Sequence, residues 1–253
     1  MRQRPSFPVR LNLGAPAGAG RDTRRVDTPA TAPQGLGLDS AVVRTRMVER
    51  LLQREALDPR VAQALRQVER HRFVDSALVI QAYEDTSLPI GLGQTISKPS
   101  VVARMLSLLM QAPALASGAG GRVLEIGTGC GYQAMLLSHL VSEVYSVERL
   151  RGLHDKAREN LKPFRRPHLH LVFGDGMLGL PASAPYAGII SAAGGDAVPA
   201  AWLDQLMMGG RILAPKSSAT GQQSLVLIEK TPQGLVQTVL EAVNFVPLKS
   251  GIA

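Results

Sequence analysis

Hydrophobic residues recur at helical spacing in the first part of the chain. A first helix, which Asp39 or Ser40 can cap, is predicted to run through Leu52. A second begins at Asp58-Pro59, because proline is accommodated in the first turn of a helix. Its apolar face is formed by Val61, Ala64, Leu65 and Val68. A third opens at Pro99 and extends to Gln111, after a glycine-rich loop over 88–97.

From Arg122 onward, apolar strands alternate with helical segments. Helices are predicted over 132–140, 150–161 and 200–206, with a turn at Met208-Gly-Gly210 and a hairpin turn around Pro232. Strands are predicted over 122–126, 144–147, 168–173, 186–191 and 211–214, followed by two late strands over 224–230 and 236–246. This alternation is typical of an α/β fold with a doubly wound sheet, and the earlier helices form an N-terminal helical extension to it.

The organisation of the chain follows from composition. Residues 1–38 are rich in Pro, Gly, Ala and Arg without periodicity, so they are expected to form a disordered basic arm. Residues 39–253 are expected to form a single domain. It comprises a helical and loop region over 39–112 and a Rossmann-like core over 113–253.

Charge and composition narrow the choice of partners and compartment. The net charge is +8, but six Arg against three Asp in residues 1–40 account for part of it. No basic stripe interleaved with aromatics follows, so no nucleic-acid partner is expected. Cys130 has no partner for an internal disulfide, and no apolar run is long enough to span a bilayer. The expected location is therefore cytoplasmic, without membrane association.

The most informative motif is a glycine loop. The strand over 122–126 runs into glycines at alternate positions, Gly127, Gly129 and Gly131, with Glu125 in the strand end. Glycines there let the backbone turn sharply and approach a ligand closely. The spacing resembles the S-adenosyl-L-methionine loop of Rossmann-like methyltransferases. A tight turn without a ligand and a loop for NAD are the alternatives.

Two acidic residues stand where an α/β cofactor fold places carboxylates. Glu148 ends the second strand and can accept both ribose hydroxyls, or else it is an exposed residue paired with Arg149 or Arg151. Asp175, followed by Gly176, ends the third strand. In the methyltransferase pattern this acid accepts from the adenine amino group, although Asp-Gly also favours an Asx turn.

No metal site is expected, and no catalytic thiol. His168 and His170 could share a strand face, but no second ligand pair accompanies them. Cys130 has no His partner nearby in sequence, so it is interpreted as a small residue beside the glycine loop.

With these residues in view, the chain from about Leu38 resembles the protein-L-isoaspartate O-methyltransferase family. The resemblance rests on several separated motifs, of which the block that begins Gly93-Gln-Thr-Ile-Ser97 and continues to Pro99 is the most specific. The others are His71–Val74, Ala82–Asp85, Leu88–Gly91, Val123–Gln133, Val144–Glu148, Gly174–Gly176 and Phe245–Leu248. The chain departs from the family at Ala187-Gly188, where an Asp is common, and at Gly194-Gly195.

The resemblance implies S-adenosyl-L-methionine-dependent methylation of the α-carboxyl of L-isoaspartyl residues in damaged proteins, which starts repair through a succinimide. It implies that Ser97 hydrogen-bonds the acceptor carboxylate and that Thr95 and Ile96 shape the substrate pocket. Ser97 could instead cap the helix at Pro99. It also implies Glu125, Gly127, Gly129, Gly131, Glu148, Asp175 and Gly176 as cofactor-binding residues.

Two other functions remain open on the sequence. One is a methyltransferase acting on another carboxylate acceptor. The other is a non-catalytic paralogue that binds S-adenosyl-L-methionine. The expected partners of the enzyme are isoaspartyl-containing proteins and peptides, and the expected oligomeric state is a monomer.

Overall fold

The structure is a computed structural model that describes residues 41–116 and 120–253. The proposed arm, residues 1–38, and the predicted caps of the first helix lie outside this range. Helix α1 spans Ala41–Arg54 and α2 spans Pro59–Gln67, as the apolar periodicity predicts. The Asp58 side chain caps α2 by accepting a hydrogen bond from Arg60 N at 2.8 Å. Two short 3-10 helices follow, Arg70–Phe73 and Ser76–Gln81.

The segment predicted as a glycine-rich loop is a β-hairpin. Strands β1, Leu88–Gly91, and β2, Gln94–Ile96, pair antiparallel. The turn between them has positive φ at Gly91, Leu92 and Gly93, which glycine tolerates at two of the three positions. Leu88, Ile90 and Ile96 are buried, so core packing sets the register. The glycines that suggested a loop form only the tip.

Helix α3, Pro99–Met110, and the short α4, Pro113–Ala116, precede the central sheet. Its first strands are β3, Arg122–Ile126, β4, Glu143–Glu148, β5, Leu169–Phe173, and β6, Tyr186–Ser191. These four run parallel and are joined through α5, Tyr132–Leu137, and α6, Arg151–Leu161. The doubly wound α/β prediction is therefore confirmed.

The remaining elements complete the sheet. Strand β7 is Ala193–Gly194, and helix α7 is Ala200–Gln205. They precede β8, Leu206–Ser217, β9, Gln223–Thr231, β10, Gly234–Val243, and β11, Val246–Pro247. The seven-stranded sheet has the order β10-β9-β8-β6-β3-β4-β5, with β9 antiparallel to both neighbours. Short 3-10 helices cover 162–164, 176–178 and 181–183.

Several predicted boundaries were wrong, and three of them bear on the sheet and the glycine loop. The fifth strand was expected only over 211–214 after a turn at Met208, but β8 already begins at Leu206. It pairs with β6 on one side and β9 on the other, and a register shift opposite Tyr186 and Gly188 absorbs the glycines. Helix α5 stops at Leu137 rather than 140, and the last long strand stops at Val243.

Within the sequence departure at Ala187-Gly188, the glycine has a packing reason. Both residues lie in the buried strand β6, and a Cβ on Gly188 would stand 2.7 Å from Cδ1 of Leu109 on α3. Glycine lets α3 lie close against the sheet.

Among the described residues, none of the helices is both long and apolar enough to cross a bilayer.

Candidate active site

The glycine loop connects β3 to α5 in a left-handed backbone. Gly127, Gly129 and Gly131 have φ values of +90°, +56° and +90°. Gly131 is the N-cap of α5, and a Cβ there would lie 2.9 Å from Cδ1 of Leu161. Side chains are therefore excluded by conformation and, at Gly131, also by space. At the carboxyl end of β3, the loop therefore presents backbone atoms that no side chain shields at its three glycines.

Glu125 lies beneath this loop and is fully buried. Its Oε2 accepts a hydrogen bond from Ser146, whose hydroxyl is 2.6 Å from that of Thr128. Burial raises the pKa of Glu125 to about 8, so the carboxyl is neutral at pH 7, although Ser146 and the nearby Gln133 amide offset part of the rise. Neither Glu125 Oε1 nor Gln133 Nε2 has a partner at hydrogen-bonding geometry.

Glu148 lies at the carboxyl end of β4 and is 5% exposed. Its Oε2 accepts from Gly129 N at 2.9 Å and its Oε1 accepts from Leu150 N at 2.9 Å. The alternative of an exposed residue paired with a neighbouring Arg is therefore wrong. Each carboxylate oxygen has a second lone pair, so the group can hold the loop and still accept further hydrogen bonds.

Asp175 follows β5 and does form the Asx-type turn considered from sequence. Its Oδ1 accepts from Met177 N at 2.9 Å, which caps the 3-10 helix over 176–178. Gly176 lies directly against the end of β3, since a Cβ there would be 2.6 Å from Cγ2 of Ile126. The other oxygen, Oδ2, accepts from Gly251 N at 2.6 Å.

That contact belongs to a segment that the sequence did not indicate as functional, residues 248–253, which we call the strap. Leu248 N donates to Gly194 O at 2.7 Å, and Ala253 N donates to Arg149 O at 2.8 Å. Arg151 N in turn donates to Ala253 O at 2.7 Å. The strap thus crosses the carboxyl end of the sheet, from β7 to the residues that follow Glu148, and it contacts Asp175.

Ser97 lies where two cavities meet. A larger cavity of about 380 Å³ opens between the hairpin and residues 242–246, and a smaller one of about 40 Å³ lies against the glycine loop. Thr95, Ser97 and Ala192 line both cavities, whereas Ile96 lines only the smaller. The predicted substrate residues therefore lie between an open pocket and the cofactor loop.

The Ser97 side chain does not cap α3. The N-cap of α3 is Lys98, which makes no side-chain cap bond, and Asp85 Oδ1 accepts from Ser100 N at 2.8 Å instead. The Ser97 hydroxyl makes no hydrogen bond to another described residue. The capping alternative is wrong, and the hydroxyl is available to a ligand.

A buried arginine that sequence reasoning missed holds Ser97 in place. Arg70 is 0% exposed, and its Nη2 donates to Ser97 O at 2.8 Å while its Nε donates to Ala82 O at 2.9 Å. Its guanidinium lies 4.9 Å from the ring centroid of Tyr132, the first residue of α5. The only available signal was its place beside the His71–Val74 motif. Arg70 therefore ties the segment that follows β2 to the start of α5, directly after the glycine loop.

The histidines considered as metal ligands, and Cys130, make contacts within the fold. His168 lies 2.8 Å from Ser138 O through its Nε2, and the His170 ring stacks on Tyr145 at 4.6 Å. In the part of the chain that the structure describes, no three potential metal ligands form a cluster. Cys130 is buried beside the loop, and burial raises the pKa of its thiol.

The parallel sheet, the left-handed glycine loop and the acidic strand ends together define a Rossmann-like, S-adenosylmethionine-dependent methyltransferase fold. Comparison with known proteins is more specific. Residues 43–253 match the family model of protein-L-isoaspartate(D-aspartate) O-methyltransferase. The chain belongs to this family, and it is a protein-L-isoaspartate O-methyltransferase that methylates isoaspartyl residues for repair.

Individual relatives agree. A protein-L-isoaspartate O-methyltransferase from Methylibium petroleiphilum is 53% identical, over 99% of this chain and 97% of that protein. One from Leptothrix cholodnii is 58% identical over 90% and 81%. A solved structure of this enzyme type shares 28% identity and a TM-score of 0.74, covering 83% of this chain and 67% of that one.

A more distant solved structure supports the fold. It is a candidate protein-L-isoaspartate O-methyltransferase from Plasmodium falciparum, in complex with S-adenosyl-L-homocysteine. It has a TM-score of 0.72 at 23% identity, and it covers 81% of this chain and 98% of that one.

Proposed function

We propose that this chain transfers a methyl group from S-adenosyl-L-methionine to the α-carboxylate of an isoaspartyl residue held in the larger cavity. The observation that carries the proposal is that Ser97 and Thr95 line both the larger cavity and the smaller cavity against the glycine loop. An acceptor in one and a donor in the other would meet beside the Ser97 hydroxyl.

The residues present fit S-adenosyl-L-methionine. The loop through Gly127, Gly129 and Gly131 presents backbone without side chains, and Glu148 keeps an unused lone pair on each oxygen for ribose hydroxyls. Glu125 Oε1 and Gln133 Nε2 are buried beside the loop, and neither reaches full hydrogen-bonding geometry, so both keep capacity for a ligand. When bound, the cofactor supplies an electrophilic methyl group.

The protein's own task is then to orient the acceptor. A carboxylate is ionised at neutral pH, since its ordinary pKa is about 4, so no general base is required. We assign to the Ser97 hydroxyl a hydrogen bond donated to one carboxylate oxygen, which leaves the other free to attack. Thr95 and Ile96 shape the wall on either side. The catalytic contribution is alignment and exclusion of water.

The adenine end is assigned to Asp175 and Gly176. Because Asp175 Oδ1 and Oδ2 each accept one backbone N–H, an adenine amino group would use a remaining lone pair. The strap would then lie over the adenine side of the cofactor.

We further propose a monomer in the cytoplasm, acting on isoaspartyl-containing proteins and peptides. All the assigned residues come from one chain, so no partner copy is needed to complete the site. Light scattering at micromolar protein concentration checks the monomeric state, and a dimer that persists on dilution argues against a monomer.

The decisive experiment is Ser97→Ala, with Ser100→Ala as the matched control. Ser100 lies three residues further on, at the start of α3 and outside both cavities. For Ser97→Ala we expect kcat/KM on an isoaspartyl peptide to fall roughly ten-fold or more, because small misplacements at a reacting centre are costly. S-adenosyl-L-homocysteine affinity should stay within about two-fold, and Ser100→Ala should keep both.

Other outcomes separate the alternatives. Wild-type turnover by Ser97→Ala would remove the assigned role. No methylation of isoaspartyl peptide by the unmodified protein, together with normal cofactor binding, would favour another acceptor or a non-catalytic paralogue.

A further inference from the structure

A third cavity lies away from the active site, beside strand β5. Its volume is about 460 Å³, and it opens between the last turns of α6 and the first residues of β5. Its floor is apolar, formed by Leu161, Leu169 and Leu171. Its rim carries four cationic side chains, Arg158, Lys162, Arg165 and Arg166, against the single carboxylate of Glu159.

The charges at this rim are poorly neutralised. Among the described residues, no carboxylate forms an ion pair with Arg158, Arg165 or Arg166. Lys162 pairs with Glu159 only at 3.9 Å, with both side chains about three-quarters exposed, so water screens the pair. The rim therefore keeps an excess of positive charge.

The partner of Arg166 does not reduce this excess. Its Nη2 lies 2.6 Å from Nε2 of His139, whose pKa is lowered by burial and by Arg166 and His168. A neutral imidazole accepts the hydrogen bond but carries no negative charge. The left-handed backbone at Arg165, with φ of +46°, is a strained conformation for a residue with a side chain.

The cavity lies beside a free strand edge. Within residues 41–116 and 120–253, strand β5 is the last strand of the sheet and pairs only with β4. His168 O and Gly174 N are bonded to β4, so by alternation the backbone N–H and C=O of Leu171 point away from the sheet. An extended peptide could pair with these groups.

Geometry also fixes which side chains of such a peptide would meet the cavity. Leu169 and Leu171 line it, while His170 between them faces the other side and stacks on Tyr145. An added strand has the same two-residue alternation, so every second side chain would point toward the cationic rim.

We propose that β5 and the basic cavity form a docking site for an extended peptide with acidic side chains at alternate positions. Charge complementarity selects the acidic residues, and the free strand edge selects an extended backbone. Single-stranded nucleic acid fits less well, because the lining residues include no aromatic side chain on which bases could stack. The proposal does not depend on methyl transfer.

The test uses the full chain and a short fluorescent peptide in which glutamate alternates with threonine. Wild-type protein should bind it in anisotropy titrations at physiological salt. Arg158→Glu combined with Lys162→Glu should weaken binding roughly ten-fold or more. The matched control is Arg46→Glu with Arg54→Glu, because Arg54 lies in the last turn of α1 as Arg158 lies in the last turn of α6. Methylation of a short isoaspartyl peptide should be unchanged in both variants, which verifies folding.

Peptide variants test the geometry independently of the protein's stability. A peptide of the same composition with glutamates in adjacent pairs should bind several-fold more weakly. N-methylation of alternate backbone amides on the pairing side should abolish binding. The proposal is overturned if the control variant loses as much affinity, or if the paired or N-methylated peptide binds equally well. Displacement of the peptide by an oligothymidylate of equal charge at equal concentration would also overturn it.

Discussion

Replacing Glu125 by glutamine tests the electrostatics beneath the cofactor loop. The carboxyl is fully buried, and its Oε2 accepts a hydrogen bond from the Ser146 hydroxyl. Burial disfavours the ionised form and raises the pKa from 4.5 to about 8. Glutamine has nearly the shape of the protonated acid but does not titrate, so the variant removes the pH dependence and leaves the packing in place.

The direction in which stability changes with pH follows from proton linkage. The folded protein holds the Glu125 proton more tightly than the unfolded chain does. Its contribution is therefore fully present below about pH 4.5 and is lost as the pH rises through about 8. Each pH unit in that interval corresponds to about 1.4 kcal/mol, so the upper bound of the loss is about 5 kcal/mol. Relaxation around the charge would reduce this loss to about 3 kcal/mol.

Urea unfolding of both proteins at about pH 5 and about pH 9 measures the effect. We expect Glu125→Gln to match the wild type within about 1 kcal/mol at the lower pH and to exceed it by about 3 kcal/mol at the higher one. Glu143→Gln at the start of the neighbouring strand β4 is the control. Arg122 lowers the pKa of Glu143, so that variant should gain nothing at alkaline pH. Parallel stability curves for Glu125→Gln and wild type would refute the reasoning.

Three further predictions concern Glu148, the strap and residues 1–38. Glu148→Ala should weaken S-adenosyl-L-homocysteine binding roughly ten- to a hundred-fold by calorimetry, because two acceptors to ribose are lost. It should also lower the melting temperature, since Gly129 N loses its acceptor; unchanged binding would contradict the ribose assignment. Deleting residues 249–253 removes the bond from Gly251 to Asp175, so stopped-flow should show faster S-adenosyl-L-homocysteine release. Equal release rates would mean that the strap does not cover the cofactor. Deleting residues 1–38 should change melting temperature and turnover little, and a large fall in melting temperature would show that the arm packs on the domain.

Much of the architecture could be read from local pattern. The apolar strand before Gly127 and the glycine spacing are short-range features, because both the strand and the turn are decided within a few residues. The same holds for α2, where Asp58 and Pro59 mark the start in the sequence itself. The positions of Glu148 and Asp175 at the ends of successive strands followed from the alternation of strand and helix.

Boundaries and contacts that depend on distant partners could not be read in this way. The length of β8 is set by pairing with two strands, and the hairpin over 88–96 is set by burial of Leu88, Ile90 and Ile96. A short stretch of sequence contains neither the partner strands nor the packed core. The glycines at the start of β8 were therefore interpreted as a turn, and those of the hairpin as a loop.

Within the site, the sequence by itself determined which residues could act: a glycine loop, acids at strand ends and a serine before α3. Only the tertiary structure decided how they are used. Arg70 would be expected on the surface, yet packing buries it and directs it to Ser97 O. The strap reaches Asp175 across 76 residues of sequence, and Glu125 becomes a neutral acid because the sheet excludes water around it. Charge state and long-range hydrogen bonds depend on the surrounding atoms, and those are assembled only when the chain has folded.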